Sequence, residues 1–158
     1  MNAPTSKARP ATPPLAAVAT SSGDHIESAL REIYQARALI AGARLLANEA
    51  AFPTKSDKDL RLQSVRLAKR AAAACMDLTT NFDGTPLDVH TVEAAERIFN
   101  VAEGLVTAAQ SLLEATWQGE EFDACLQARD LFAMALQRIE ASGAAVHQAF
   151  DAARREAA

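Results

Sequence analysis

The chain has 158 residues, of which 49% are hydrophobic and 5% aromatic, and its formal net charge is −4. This length suits one domain with a sizeable core. The acidic balance argues against general affinity for nucleic acid, which needs a concentrated positive surface, and no apolar run approaches the roughly 20 residues that span a bilayer.

Residues 1–23 differ in composition from the rest of the chain. They contain Lys7, Arg9 and the short apolar run 15–19, which directly follows two prolines. That run is too short for a secretory signal. The composition predicts a disordered tail over 1–23 and a helical domain over 24–158.

The first helix is predicted from Asp24 to about Ala51. Asp24 and Glu27 have the spacing of a capping box, and apolar residues follow at helical spacing. This row consists of Ile26, Leu30, Ile33, Ala36, Ile40, Ala43 and Ala47. Arg37 and Arg44 lie at its margin; we interpret them as surface arginines whose stems cover apolar area, with ligand binding as the alternative.

The second helix is predicted from Ser56 or Asp57 to about Thr80. Residues 53–80 carry six basic and three acidic groups, whereas 81–118 carry one basic and six acidic groups. The basic side chains that share one side of the helix are Lys58, Arg66, Lys69 and Arg70. One interpretation is a site that binds an acidic protein or an anionic surface. The alternative is a face that is simply exposed to solvent. Because no aromatic residue interleaves with them, specific nucleic-acid binding is not expected.

The third helix, predicted from Asp88 to Trp117, carries a wide apolar face. Its main row consists of Val92, Ala95, Phe99, Ala102, Val106, Ala109 and Leu113. A second row consists of Ile98, Val101, Leu105, Ala108 and Leu112. Together the rows cover more than half of the circumference, which predicts that this helix occupies the middle of the molecule.

The fourth helix is predicted from Glu120 to Arg155, because its apolar row stays in phase across Gly143. At about 1.5 Å per residue it would be longer than its neighbours. Val146, Phe150 and Ala153 would then lie exposed, and they are the candidate self-association residues. A homodimer contact or a fold-back at Gly143 would cover them.

No grouping of residues in the sequence indicates catalysis or metal binding. His25, His90 and His147 do not form the Glu-x-x-His pairs of a bundle metal site, and no nucleophile elbow is present. Cys75 and Cys125 lie in apolar helical rows, where free thiols are favoured over a disulfide. We therefore expect no enzyme activity, no cofactor and no metal.

These patterns predict an all-α fold, an antiparallel four-helix bundle with up-down-up-down topology. An offset of 66 residues superposes Ile33 on Phe99 and Ile40 on Val106, so two tandem helical hairpins are a variant of this fold. The leading hypothesis is a cytoplasmic, non-enzymatic protein–protein interaction module that forms homodimers. The alternatives are an amphipathic protein that coats a lipid or granule surface, and a ligand-binding bundle.

Overall fold

The structure is a computed structural model that describes residues 21–49, 54–82, 86–115 and 123–158. These residues form four helices: α1 (Ser22–Glu49), α2 (Lys55–Asn81), α3 (Val89–Ala115) and α4 (Asp123–Glu156). The predicted all-α four-helix bundle is confirmed. Within the described ranges, no helix contains a stretch long and apolar enough to cross a membrane. The predicted tail lies outside these ranges up to residue 20.

The first turn of α1 begins two residues before the predicted start. Ser21 Oγ accepts a hydrogen bond from the Asp24 amide at 3.2 Å, and the Ser21 amide donates to Asp24 Oδ2 at 3.0 Å. This is a reciprocal capping box. The predicted box of Asp24 with Glu27 is wrong, because the Asp24 amide that Glu27 would accept from donates to Ser21, and Glu27 pairs with Arg31.

The starts of α2 and α3 are also capped by side chains. Thr54 Oγ1, rather than the predicted Ser56 or Asp57, accepts from the Asp57 amide at 3.1 Å. In α3 the capping residue is Asp88, at the predicted start of the helix, whose carboxylate accepts from the Thr91 amide at 2.8 Å. These contacts satisfy amides that the first turn of a helix leaves unpaired.

Helices that are adjacent in sequence pack antiparallel, and α4 packs back on α1. Two pairs of residues join α1 to α4, Ala29 with Ser142 and Glu32 with Arg138. Asn48 of α1 contacts Arg61 of α2, and Ser64 of α2 contacts Ala109 of α3. Glu96 of α3 contacts His147 of α4. Each helix therefore has two neighbours, and α1 and α3 lie diagonally across the bundle. The predicted up-down-up-down topology is confirmed.

The main apolar row of α3 is entirely buried, as its spacing predicts. Alanine fills much of the core, and fully buried alanines occur in all four helices. The largest fully buried side chain is Phe132 of α4. Small side chains let the helix axes approach closely, so a chain with few aromatic residues can still bury a continuous core.

The prediction that α3 occupies the middle of the molecule is wrong. The most extensive helix pair is α1 with α4, and α3 packs on α2 and α4. Its second apolar row divides: Ile98 and Leu105 are partly buried against the core, whereas Val101 and Ala108 are exposed. A bundle of four gives each helix two neighbours, which is too few to cover both rows.

The C-terminal end of α4 does not overhang the bundle. Glu156 accepts hydrogen bonds from the Ser22 amide at 3.0 Å and the Ser22 hydroxyl at 2.8 Å, so the first turn of α1 covers the last turn of α4. Helix α4 continues through Gly143, as predicted, and the alternative fold-back does not occur.

Candidate interaction surface

A stripe of uncharged residues runs along the outer side of α1, opposite its buried row. It consists of Tyr34, Ala38, Ala41 and Leu45, at spacings of four, three and four, and we call it the α1 face. Tyr34 is 55% exposed and Leu45 is 56% exposed. The N-terminal half of the face forms a shallow depression, which Leu30, Tyr34 and Ala38 line together with Glu27, Arg31 and Gln35.

Basic side chains border the α1 face on the side of α2. Arg37 is exposed and Arg44 is half-buried. In the part of the chain that the structure describes, neither has a carboxylate within 4.0 Å, although Arg37 is close enough to Cys75 for an electrostatic interaction. This exposure fits the interpretation of Arg37 and Arg44 as surface arginines. Because neither is paired with a carboxylate of the described residues, their positive charges are available to a partner.

The four basic residues predicted as a partner-binding site, Lys58, Arg66, Lys69 and Arg70, are all exposed. Arg61 marks the α1 side of α2, because its guanidinium donates to the Asn48 carbonyl at 3.2 Å. At 100° per residue, Lys58 and Lys69 lie about 60° and 80° outward from Arg61, and Arg66 and Arg70 lie farther round. This helical geometry places Lys58 and Lys69 on the side of α2 nearer to α1, and Arg70 on the side nearer to α3.

A second uncharged stripe runs along the outer side of α3. It consists of Val101, Gly104, Ala108, Ser111 and Ala115, all exposed, and we call it the α3 face. Val101 is 54% exposed, and a Cβ added at Gly104 would meet no atom within 4 Å. The glutamates of this helix border the face on the side of α4, where Glu96 reaches His147 at 3.1 Å.

The three predicted self-association residues lie close together on α4, but they are not an exposed apolar row. Val146 is 1% exposed, Ala153 is half-buried, and Phe150 packs partly against the core. The guanidinium of Arg154 lies over the Phe150 ring, 5.9 Å from its centroid. The expectation that Val146 is exposed is wrong, because α1 reaches alongside the end of α4.

Both cysteines are free thiols. Burial raises the pKa of Cys75 to about 11, and it also raises the pKa of the half-buried Cys125. Cys125 lies near Arg61, and Cys75 is 14 residues farther along α2, which is about 21 Å. A disulfide needs Cα atoms within about 7 Å, so these two cannot pair in this fold.

The histidines are separated from one another. His147 meets Glu96, His25 lies in the first turn of α1, and His90 is exposed in the first turn of α3. Among the described residues, no three histidine, cysteine, aspartate or glutamate side chains form a group that could hold a metal ion.

The α1 face is not among the surfaces predicted from the sequence, although its signal is present there. Residues 34, 38, 41 and 45 are uncharged and have the same helical spacing as the buried row. A helix with apolar residues on two opposite sides has more apolar surface than two neighbours can cover. The second stripe is therefore recognisable once the number of neighbours is known.

Comparison of the chain with protein-family models, with curated proteins and with solved structures found no match in any of the three.

Proposed function

We propose that the chain is a non-enzymatic interaction module that associates with copies of itself through its exposed helical surfaces. The observation that supports this proposal is the α1 face, on which two large hydrophobic side chains remain more than half exposed. Apolar side chains aligned in one stripe lose unfavourable hydration when a partner covers them. The basic border adds a charge pattern that selects the partner and its orientation.

Sedimentation velocity of the full chain over a wide concentration range tests this function. We expect the average mass to rise with concentration above the 16.8 kDa of one chain. The variant Tyr34→Glu/Leu45→Glu places two carboxylates in the α1 face at exposed positions and should weaken the association at least tenfold. A wild-type chain that stays monomeric at every concentration would contradict the proposal.

A second candidate function is the coating of an anionic lipid or granule surface. The observation that favours it is the exposure of Lys58 and Lys69, which helical geometry places on the side of α2 nearer to the uncharged α1 face. Basic residues near apolar ones are typical of membrane-surface helices. Flotation with anionic vesicles at low salt distinguishes this function. The wild type should float and Lys58→Glu/Lys69→Glu should not, whereas absence of wild-type flotation excludes it.

A further inference from the structure

We infer that the α1 face of one copy docks on the α3 face of a second copy, so that the chain associates head to tail. This inference rests on the proposed self-association and specifies its geometry. Three properties of the described residues support it: the sizes of the side chains, the signs of the charges and the positions of the two faces on the bundle.

The two faces are complementary in size. The α1 face presents the large side chains of Tyr34 and Leu45, whereas the α3 face presents Gly104 and Ala108 between residues of moderate size. Glycine weakens the interior of a helix. Within the described part of the chain nothing approaches the position of a Cβ at Gly104, so no intramolecular contact requires glycine there. A close external neighbour would give this residue a structural role.

The borders of the two faces are complementary in charge. Arg37, Arg44 and Lys69 border the α1 face, and Glu93 and Glu103 lie on the border of the α3 face. None of these five forms an ion pair in the part of the chain that the structure describes. Arg97 is exposed in line with the α3 face, one turn before Val101, so the charges around that face are mixed but mainly acidic. A symmetric α1–α1 contact would bring the arginines of both copies together, and a symmetric α3–α3 contact would bring the glutamates of both copies together. Contact between the two unlike faces sets a mainly basic border against a mainly acidic one.

The topology places the two faces on opposite sides of the molecule. Helices α1 and α3 are diagonal in the bundle, so their outer surfaces point in opposite directions. A copy bound through its α3 face still has its α1 face free. Because the basic border lies toward α2 and the acidic border toward α4, adjacent copies are related by half a turn about the line that joins them. Such a contact does not close on itself, and it produces chains of increasing length.

Two variants that each block one face provide the test. Tyr34→Glu/Leu45→Glu blocks the α1 face, and Gly104→Gln/Ala108→Gln blocks the α3 face with bulky, uncharged side chains at exposed positions. Each variant alone should remain monomeric in sedimentation velocity. An equimolar mixture should form a heterodimer with twice the mass of one chain, because each variant retains the face that the other lacks. This heterodimer cannot grow further, because both of its remaining faces are blocked. The control Met134→Glu, an exposed position on α4, should associate like the wild type.

The outcomes separate this inference from the proposed function. If the wild type associates but the mixture stays monomeric, or if either variant alone forms dimers, the head-to-tail contact is wrong and self-association stands. If the wild type is monomeric, both fail. Thermal unfolding by circular dichroism checks that each variant is folded, and a folded Gly104→Gln/Ala108→Gln variant that associates like the wild type would overturn the inference.

Discussion

Two buried serines connect pairs of helices near opposite ends of the bundle. Ser142 Oγ of α4 donates to the Ala29 carbonyl of α1 at 2.8 Å, and Ser64 Oγ of α2 donates to the Ala109 carbonyl of α3 at 2.7 Å. Ala29 lies near the start of α1 and Ala109 near the end of α3, which runs parallel to α1. Because each bond joins a hydroxyl to one backbone position, it fixes how far one helix can slide along the other.

Replacing either serine with alanine should destabilise the fold by a modest amount. Ser64→Ala and Ser142→Ala each remove a buried hydroxyl hydrogen bond, and we expect each to lower the free energy of unfolding by about 1 kcal/mol. Equilibrium urea denaturation measures this change. The matched control is Ser111→Ala on the exposed side of α3, which should change the free energy by less than about 0.5 kcal/mol. Equal effects at Ser64 and Ser111 would contradict a stabilising role for the buried bond.

The buried thiol of Cys75 should make the fold less stable in alkaline solution. Burial raises its pKa from 9.0 to about 11, so the folded chain retains the thiol proton more strongly than the unfolded chain does. The resulting stabilisation is complete below pH 9 and is lost as the pH rises from 9 toward 11. Urea denaturation between pH 7 and pH 10.5 should show a steeper loss of stability for the wild type than for Cys75→Ala. If the stabilities of the wild type and of Cys75→Ala fall equally with pH, the Cys75 thiol is not responsible for the alkaline loss of stability.

At the scale of single helices, three glycines have different surroundings. A Cβ added at Gly104 of α3 would meet no atom, one at Gly143 of α4 would lie 3.9 Å from Phe99, and one at Gly42 of α1 would lie 3.2 Å from Leu131 of α4. Ordinary contact begins at about 3.5 Å between carbon atoms. Of these positions, Gly42 alone requires its neighbour to move, and it does so where the α1–α4 pair packs.

Alanine substitutions should separate these cases. Gly104→Ala should raise the free energy of unfolding by about 1 kcal/mol, because alanine favours the helix and has free space for its methyl group. Gly42→Ala, the matched change in α1, should raise the free energy of unfolding less than Gly104→Ala does, or should lower it, since its methyl group displaces Leu131. Urea denaturation of the two variants beside the wild type measures the difference. A Gly42→Ala variant at least as stable as Gly104→Ala would contradict the close packing of α1 on α4.

Local features of the helices could be predicted from the sequence because they depend on neighbouring residues. The row of α3 from Val92 to Leu113 is buried as its spacing indicates, and Asp88 caps the helix. The starts of α1 and α2 were predicted two or three residues late. In each helix the capping residue is a serine or threonine one turn before the predicted start, Ser21 in α1 and Thr54 in α2. The residue types in the turn do not show which of the candidates caps the helix.

At the scale of the whole molecule, the arrangement of the helices decides which apolar residues are exposed, and periodicity alone does not specify it. The spacing of apolar residues along α3 and α4 does not predict that Val101 is exposed and that Val146 is buried. Val101 is exposed because α3 has two neighbours, and Val146 is buried because α1 extends to the end of α4. Both facts depend on contacts between distant parts of the chain.

The association of copies should weaken as salt is added. The bordering charges of the α1 and α3 faces lie at the surface, and the Debye length falls from about 10 Å at 0.1 M salt to about 3 Å at 1 M. We expect the association constant from sedimentation to fall several-fold between 0.05 and 0.5 M sodium chloride. Arg37→Gln/Arg44→Gln, which removes two of the positive charges, should reduce this dependence. Association that strengthens with salt would indicate a purely hydrophobic contact.

The hydrogen bonds between Ser22 and Glu156 bring the first residue of α1 beside the last residue of α4. A short glycine-rich linker could join these two points without moving either helix. The polypeptide could then be opened between α2 and α3, so that synthesis starts at α3 and finishes at α2. Circular permutation of this kind would keep all four helix pairs while changing their order in the gene.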